Sequence, residues 1–116
     1  MEKVDEIKTS DLSGCEKNIM GCIYEYHRKL QKAPNLKDIM NALETRHGIV
    51  WKLQTICTFF TRMEKKGLLT IQKNGRYSYY YPVLSFEEYM EREFAELCKA
   101  YFEADMKLLK RFVRKL

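Results

Sequence analysis

Glycine and proline are scarce in this 116-residue chain, with five and two copies, and neither recurs at a fixed interval. Their scarcity excludes collagen-like repeats and Pro/Gly-rich linkers and leaves long stretches in which helices can propagate. No run approaches the roughly 20 apolar residues that a membrane-spanning helix needs. The opening MEKVDEIKTSDL carries three acids before Lys8 and no apolar core of signal-peptide length, so a soluble cytoplasmic protein with no membrane partner is expected. Cys15, Cys22, Cys57 and Cys98 form no CxxC or CxC pair. Neither a metal site nor a secreted disulfide framework is therefore indicated, and the thiols are expected to be reduced and packed as small apolar residues. No Gly-rich phosphate loop or paired-carboxylate signature occurs, and the two histidines, His27 and His47, fall near expected helix carboxyl ends, where the backbone dipole favours them. Nothing points to an enzyme or to a cofactor.

Acid is also missing from one window. Residues 46–83 hold seven bases (Arg46, Lys52, Arg62, Lys65, Lys66, Lys73, Arg76) against the single acid Glu64, a net of +6, whereas the whole chain carries +5. The entire excess is therefore local, as expected of a face that meets a phosphate backbone. A merely solvated basic surface is the plainer alternative.

The periodicity predicts three helices and a hairpin. Ser13 with Glu16 has the form of a capping box, and Ile19, Met20, Ile23 and Tyr24 follow at helical spacing, so helix 1 is expected from about Ser13 to Lys29. Asn35 as N-cap with Asp38 opens helix 2, with Leu36, Ile39, Met40 and Leu43 as its apolar stripe and Gly48 at its end. Helix 3 is expected from near Lys52 to Gly67. At 100° per residue, Ile56, Phe59, Phe60 and Met63 share one face, and Gln54, Thr58, Thr61 and Lys65, flanked by Thr55 and Arg62, occupy the other. That outer face offers hydroxyls, an amide and cations, groups suited to phosphate oxygens and base edges. LLTIQK and RYSYYYPV then read as two strands joined by a type I′ turn at Asn74-Gly75, with Lys73 and Arg76 at the tip and Tyr77, Tyr79, Tyr80 and Tyr81 packing the hairpin on the helices. Three helices followed by a hairpin is the order of a winged helix-turn-helix, and the fold class expected is mostly α with a small β-hairpin.

Ser85 with Glu88 repeats the capping-box form, and no Gly or Pro follows through Leu116. A continuous helix over that arm would be about 45 Å long. The apolar positions Phe86, Met90, Phe94, Leu97, Tyr101, Leu108, Leu109 and Phe112 form a stripe too broad for a small domain to bury, which favours a two-fold dimer. The alternative is a fold-back with a break near Glu103 to Asp105. Charge is segregated along the arm: residues 85–105 hold seven acids against Arg92 and Lys99, and residues 106–116 hold five bases and no acid. The division expected is a polar tail over 1–11, a DNA-binding domain over 12–84 and a dimerisation arm over 85–116.

Three segments carry a family resemblance. LSGCEKNIM (Leu12 to Met20), TICTFFTRMEKKGLL (Thr55 to Leu69) and GRYSYYYP (Gly75 to Pro82) resemble, in order, the opening, recognition-helix and wing signatures of the penicillinase-repressor (BlaI/MecI/CopY-type) winged-helix transcriptional regulators. The resemblance implies a homodimeric repressor of a dyad-symmetric double-stranded DNA operator. It also implies operator contacts from Lys52, Gln54, Thr55, Thr58 and Arg62, with Lys73 and Arg76 on phosphate, and an inducing signal such as a sensor protease. Phe112 follows Arg111 where penicillinase-type members are cut between Asn and Phe, and no CxC pair of the copper-responsive type is present, so neither inducer carries over. A winged-helix module binding protein or RNA is the alternative class, and a thiol-based redox regulator is another, with Cys57 on the flank of helix 3 as its first suspect.

Overall fold

In the computed structural model the described residues are 12–116; the expected polar tail lies outside them. The elements are α1 (Gly14–Leu30), α2 (Leu36–His47), α3 (Leu53–Lys65), β1 (Leu69–Asn74), β2 (Tyr77–Pro82), α4 (Phe86–Tyr101) and α5 (Met106–Arg114). The described residues divide into two compact units, 12–84 and 85–116.

Local chemistry starts three of the helices. The hydroxyl of Ser13 accepts from the Glu16 amide and the Glu16 carboxylate accepts from the Ser13 amide; Asn35 with Asp38 and Ser85 with Glu88 repeat the reciprocal pattern. Each such cap contributes about 1 kcal/mol by occupying amides the helix cannot. Helix α2 ends where Gly48 adopts φ +66 and the amides of Gly48 and Ile49 donate to Glu44 and Leu43, a left-handed cap that a side chain would strain.

The apolar stripes of the first three helices converge. Ile19, Met20 and Ile23 of α1, Ile39 and Leu43 of α2, and Ile56, Phe60 and Met63 of α3 are each at most 2% exposed. At about 1.5–3 kcal/mol per buried side chain, this cluster dominates the stability of the first unit. The hairpin packs on it through Leu69 of β1, 1% exposed, and Tyr80 of β2, whose ring stacks on Phe60 with centroids 4.1 Å apart. Because side chains alternate along a strand, only Tyr80 of the four hairpin tyrosines turns inward; Tyr79 is half-buried, and Tyr77 and Tyr81 are exposed. The expectation that all four pack on the helices is thus corrected.

Strand β2 is held on both edges. It pairs antiparallel with β1 from Leu69↔Pro82 to Asn74↔Tyr77, and on the other side Asn35 bridges Tyr79 while the Tyr80 amide donates to the Pro34 carbonyl at 3.0 Å. The residues between helices 1 and 2 therefore complete the sheet as well as turn the chain. The turn also departs from expectation by one residue. Asn74 and Tyr77 are paired, so Gly75 and Arg76 are central, and only Gly75 has positive φ, at +68. That is the type II′ pattern rather than type I′. Register decides it, because a slip by one residue would turn Leu69 and Tyr80 out of the core.

Glu16 has a second role that its cap does not show. It is 2% exposed, and its Oε1 accepts from both the Ser13 amide and the Lys66 ammonium, each at 2.9 Å. Lys66 caps the carboxyl end of α3, so the start of α1 and the end of α3 share one oxygen. Burial opposes ionisation of this carboxyl, but the hydrogen bonds from Lys66 and Ser13, with the charge of Lys66, outweigh it and hold the group below its usual range.

In the second unit the arm is two helices. α4 stops at Tyr101, Glu103 and Ala104 adopt left-handed backbone with φ of 53° and 60°, and Asp105 caps α5 by accepting from the amides of Lys107 and Leu108. Phe102 and Phe112 meet across the bend with ring centroids 5.8 Å apart. The arm breaks at Glu103 to Asp105, where the fold-back alternative placed it, and Phe94, Leu97 and Tyr101 stay exposed beside the bend.

Lys66→Met leaves the Glu16 carboxylate buried without its cation. It is expected to cost about 2–3 kcal/mol in urea unfolding at pH 7, less than for a fully enclosed pair because Lys66 keeps about a third of its side chain in solvent. The folded Glu16 titrates below its usual value near 4.5. Its contribution is therefore complete above that value and is lost as the pH falls through the folded one, so Glu16→Gln should flatten the acid limb of a stability profile.

Candidate nucleic-acid interface

Helix α3 divides cleanly into two faces. Ile56, Phe60 and Met63 are buried, and Gln54, Thr55, Thr58, Thr61, Arg62 and Lys65 are all exposed, with Lys52 exposed at the N-cap. The Lys52 side chain makes no capping bond and the first turn holds no acid, so the partial positive charge of the helix start adds to that of the side chains. Seven of the nine residues expected at a nucleic-acid contact are thus gathered on one helix.

Two of the three hydroxyls on this face are already engaged. Thr58 Oγ1 donates to the Gln54 carbonyl at 2.9 Å and Thr61 Oγ1 to the Cys57 carbonyl at 3.0 Å. With their hydrogens directed into the helix, both residues present lone pairs and a methyl group outward. Those groups suit the amino groups of adenine or cytosine and the thymine methyl, and Arg62 supplies the donor fork that matches guanine.

The two sides of this face differ. On one side Leu53 and Cys57 open onto a groove of about 480 Å³ that is also lined by Lys37, Arg76, Tyr77 and Tyr80. Arg76 at the hairpin tip therefore shares a concavity with the start of α3. Lys73 does not. It lines a separate groove of about 410 Å³ with Lys32, Gln72, Asn74, Tyr79 and Tyr81, and it sits in β1 opposite Ser78 rather than at the tip. On the other side of α3, Trp51 packs against Phe59 with centroids 5.1 Å apart, and the Arg62 guanidinium lies 6.0 Å from the Phe59 ring centre.

Several of these participants escape sequence reasoning. Lys37 and Lys32 lie outside the basic window, and only the fold brings them beside the hairpin. Phe59 falls within the apolar arc of the wheel yet is half-buried, and Trp51 precedes the helix and so has no place on a wheel. The thiols divide: Cys22 and Cys98 are buried and Cys15 is half-buried, but Cys57 is exposed, which corrects the expectation of four packed thiols. Burial pushes the Cys22 thiol up, away from the reactive thiolate. His27 and His47 are exposed in the last turns of α1 and α2. Among the described residues no group of three His, Cys, Asp or Glu side chains could hold a metal ion, and no helix is long and apolar enough to cross a membrane.

Comparison with known proteins returns the same arrangement. The chain is similar to the solution structure of the DNA binding domain of the repressor BlaI, with a TM-score of 0.55 and 27% identity over 71% of this chain and 92% of that one. It is also similar to the solution structure of the monomeric form of Bacillus licheniformis BlaI in complex with the blaP half-operator, with a TM-score of 0.51 and 28% identity over 68% of this chain and 88% of that one. No curated protein matches. The sequence model of the penicillinase repressor family matches residues 12–116, both units together. With three helices and a hairpin in the order seen in BlaI and a family match over the whole described chain, this protein belongs to the penicillinase repressor family, which is one of transcriptional repressors and not of enzymes.

Proposed function

We propose that this chain represses transcription by binding a dyad-symmetric operator in double-stranded DNA as a homodimer, with α3 in the major groove and the hairpin against the backbone. The observation that carries the reading is the outer face of α3, where Gln54, Thr55, Thr58, Thr61, Arg62 and Lys65 stand exposed together beside an uncapped helix start. A helix of this width fits the major groove of B-form DNA, and cations at both its ends and at Arg76 meet phosphate on either side. The BlaI form solved on the blaP half-operator is monomeric, which supports one chain per half-site.

The dimer rests on the second unit. Phe86, Met90, Phe94, Leu97 and Tyr101 recur along α4 at steps of four and three residues, and all but the half-buried Met90 are exposed. From Met90 onward the steps of four, three and four match the seam spacing by which two helices pair. In α5 Phe112 is exposed, Leu108 is half-buried, and Leu109 is 4% exposed in the single chain. Leu109 therefore has cover before any partner arrives, and the α4 stripe and Phe112 supply the pairing surface.

Arg62→Ala is expected to weaken binding to a duplex selected from a random pool by about 1–3 kcal/mol and to flatten preference at one base pair, as read by anisotropy titration on single-substituted duplexes. Lys73→Ala should instead weaken all duplexes alike and lower the slope of log affinity against log salt by about one. In sedimentation at micromolar concentration the chain should run as a dimer, and Leu97→Lys should shift it to monomer; a wild-type monomer would remove the arm from the reading.

A further inference from the structure

Arg62 is the one cation on the outer face of α3 with an aromatic surface beside it. Its guanidinium carbon is 6.0 Å from the centre of the Phe59 ring, one helical turn earlier, and that ring leans on Trp51 at 5.1 Å with 32° between the planes. The core accounts for this pair only in part, since Trp51 also lines a groove with Met40, Leu43 and Ile56. Ile56, Phe60 and Met63 already fill the buried side of α3, whereas Phe59 and Trp51 are both half-buried, at the margin between core and reading face. Two large rings are thus held at the edge of the surface with a charged fork next to them.

An exposed arginine samples many rotamers, and only those that present the guanidinium edge-on can donate two parallel bonds to O6 and N7 of guanine. A ring face beside the guanidinium attracts it through the ring's quadrupole and narrows that search. Trp51 comes from the extended lead-in rather than from α3, so it braces the ring from outside the helix and keeps Phe59 from turning into solvent.

We infer that Trp51 and Phe59 are positioning residues that hold the Arg62 guanidinium for base discrimination. This rests on the reading of α3 as the major-groove element. They act through Arg62 and carry no charge themselves, so their removal should alter discrimination without altering the salt dependence.

The test uses the full chain and the duplex it selects. Phe59→Leu keeps apolar bulk and removes the ring. It should weaken binding about two- to fivefold, with the loss confined to preference at the base pair whose preference Arg62→Ala flattens, and with the salt slope unchanged. In an Arg62→Ala background the same change should have no further effect, and Phe59→Tyr should behave as wild type. The free protein gives an independent readout: ring-current shifts on the Arg62 side-chain protons should be present in wild type and Phe59→Tyr, and absent in Phe59→Leu. Trp51→Leu should reduce those shifts. Losses that add across the double variant, a loss spread over all base pairs, or Arg62 resonances insensitive to Phe59→Leu would each overturn the proposal while leaving DNA binding in place. A wild-type chain with no salt-steep preference for any duplex would overturn the operator reading itself.

Discussion

One buried carboxylate oxygen governs the arrangement of the DNA-reading unit. Glu16 Oε1 receives the Ser13 amide and the Lys66 ammonium together, and its side chain is almost wholly buried. A charge in such a place is stable only while its partners stay. The start of α1 is therefore fixed to the end of α3, and α3 has few ways left to roll. Its roll decides which side chains look outward. The buried triad of Ile56, Phe60 and Met63 gives the helix a preferred side, and the ion pair pins the end at which apolar contacts alone would be least directional.

The hairpin depends on that framework in turn. An isolated two-stranded ribbon is marginal in water, and here β2 gains the Pro34–Asn35 segment as a second neighbour, the Phe60 ring under Tyr80, and the Val83 amide donating back to the Leu68 carbonyl. The Tyr24 hydroxyl closes the unit by donating to the Leu84 carbonyl at 2.8 Å. Arg76 is thus presented from the tip of an anchored hairpin. Its placement over the groove beside α3 follows from the sheet's attachment and requires no contact of its own.

What could be read from the sequence was what is decided within one turn of chain. The capping boxes at Ser13, Asn35 and Ser85, the left-handed stop at Gly48 and the division of α3 into two faces all rest on neighbours three or four residues apart. The candidate surface on α3 was legible for the same reason, since a helix converts spacing into direction. The rest depends on distant partners. Glu16 looked like a cap residue because its cation is fifty positions away. Asn74-Gly75 tolerates either hairpin turn, and the core beneath Leu69 and Tyr80 chose between them. Lys73 looked like part of the tip on the same misplaced turn. Lys32 and Lys37 join the basic surface only because the sheet folds back over the start of α2. The bend in the arm, offered by the sequence only as the alternative at Glu103 to Asp105, carries no glycine, and Asp105 caps α5 without the acid or amide three residues on that completes a box.

The separation of the two faces of α3 bears on how such a protein can change its address. Folding draws on Ile56, Phe60 and Met63, and the outward set at positions 54, 55, 58, 61, 62 and 65 shares no residue with it. Each threonine offers an acceptor and a methyl that can be altered one at a time, serine keeping the first and valine the second. If α3 reads the operator as proposed, a lineage could move by single steps to a new one with its fold almost undisturbed. Phe59 is where this independence ends: half-buried, it packs on Trp51 and lies beside Arg62, so on the proposed reading a change there reaches packing and recognition together.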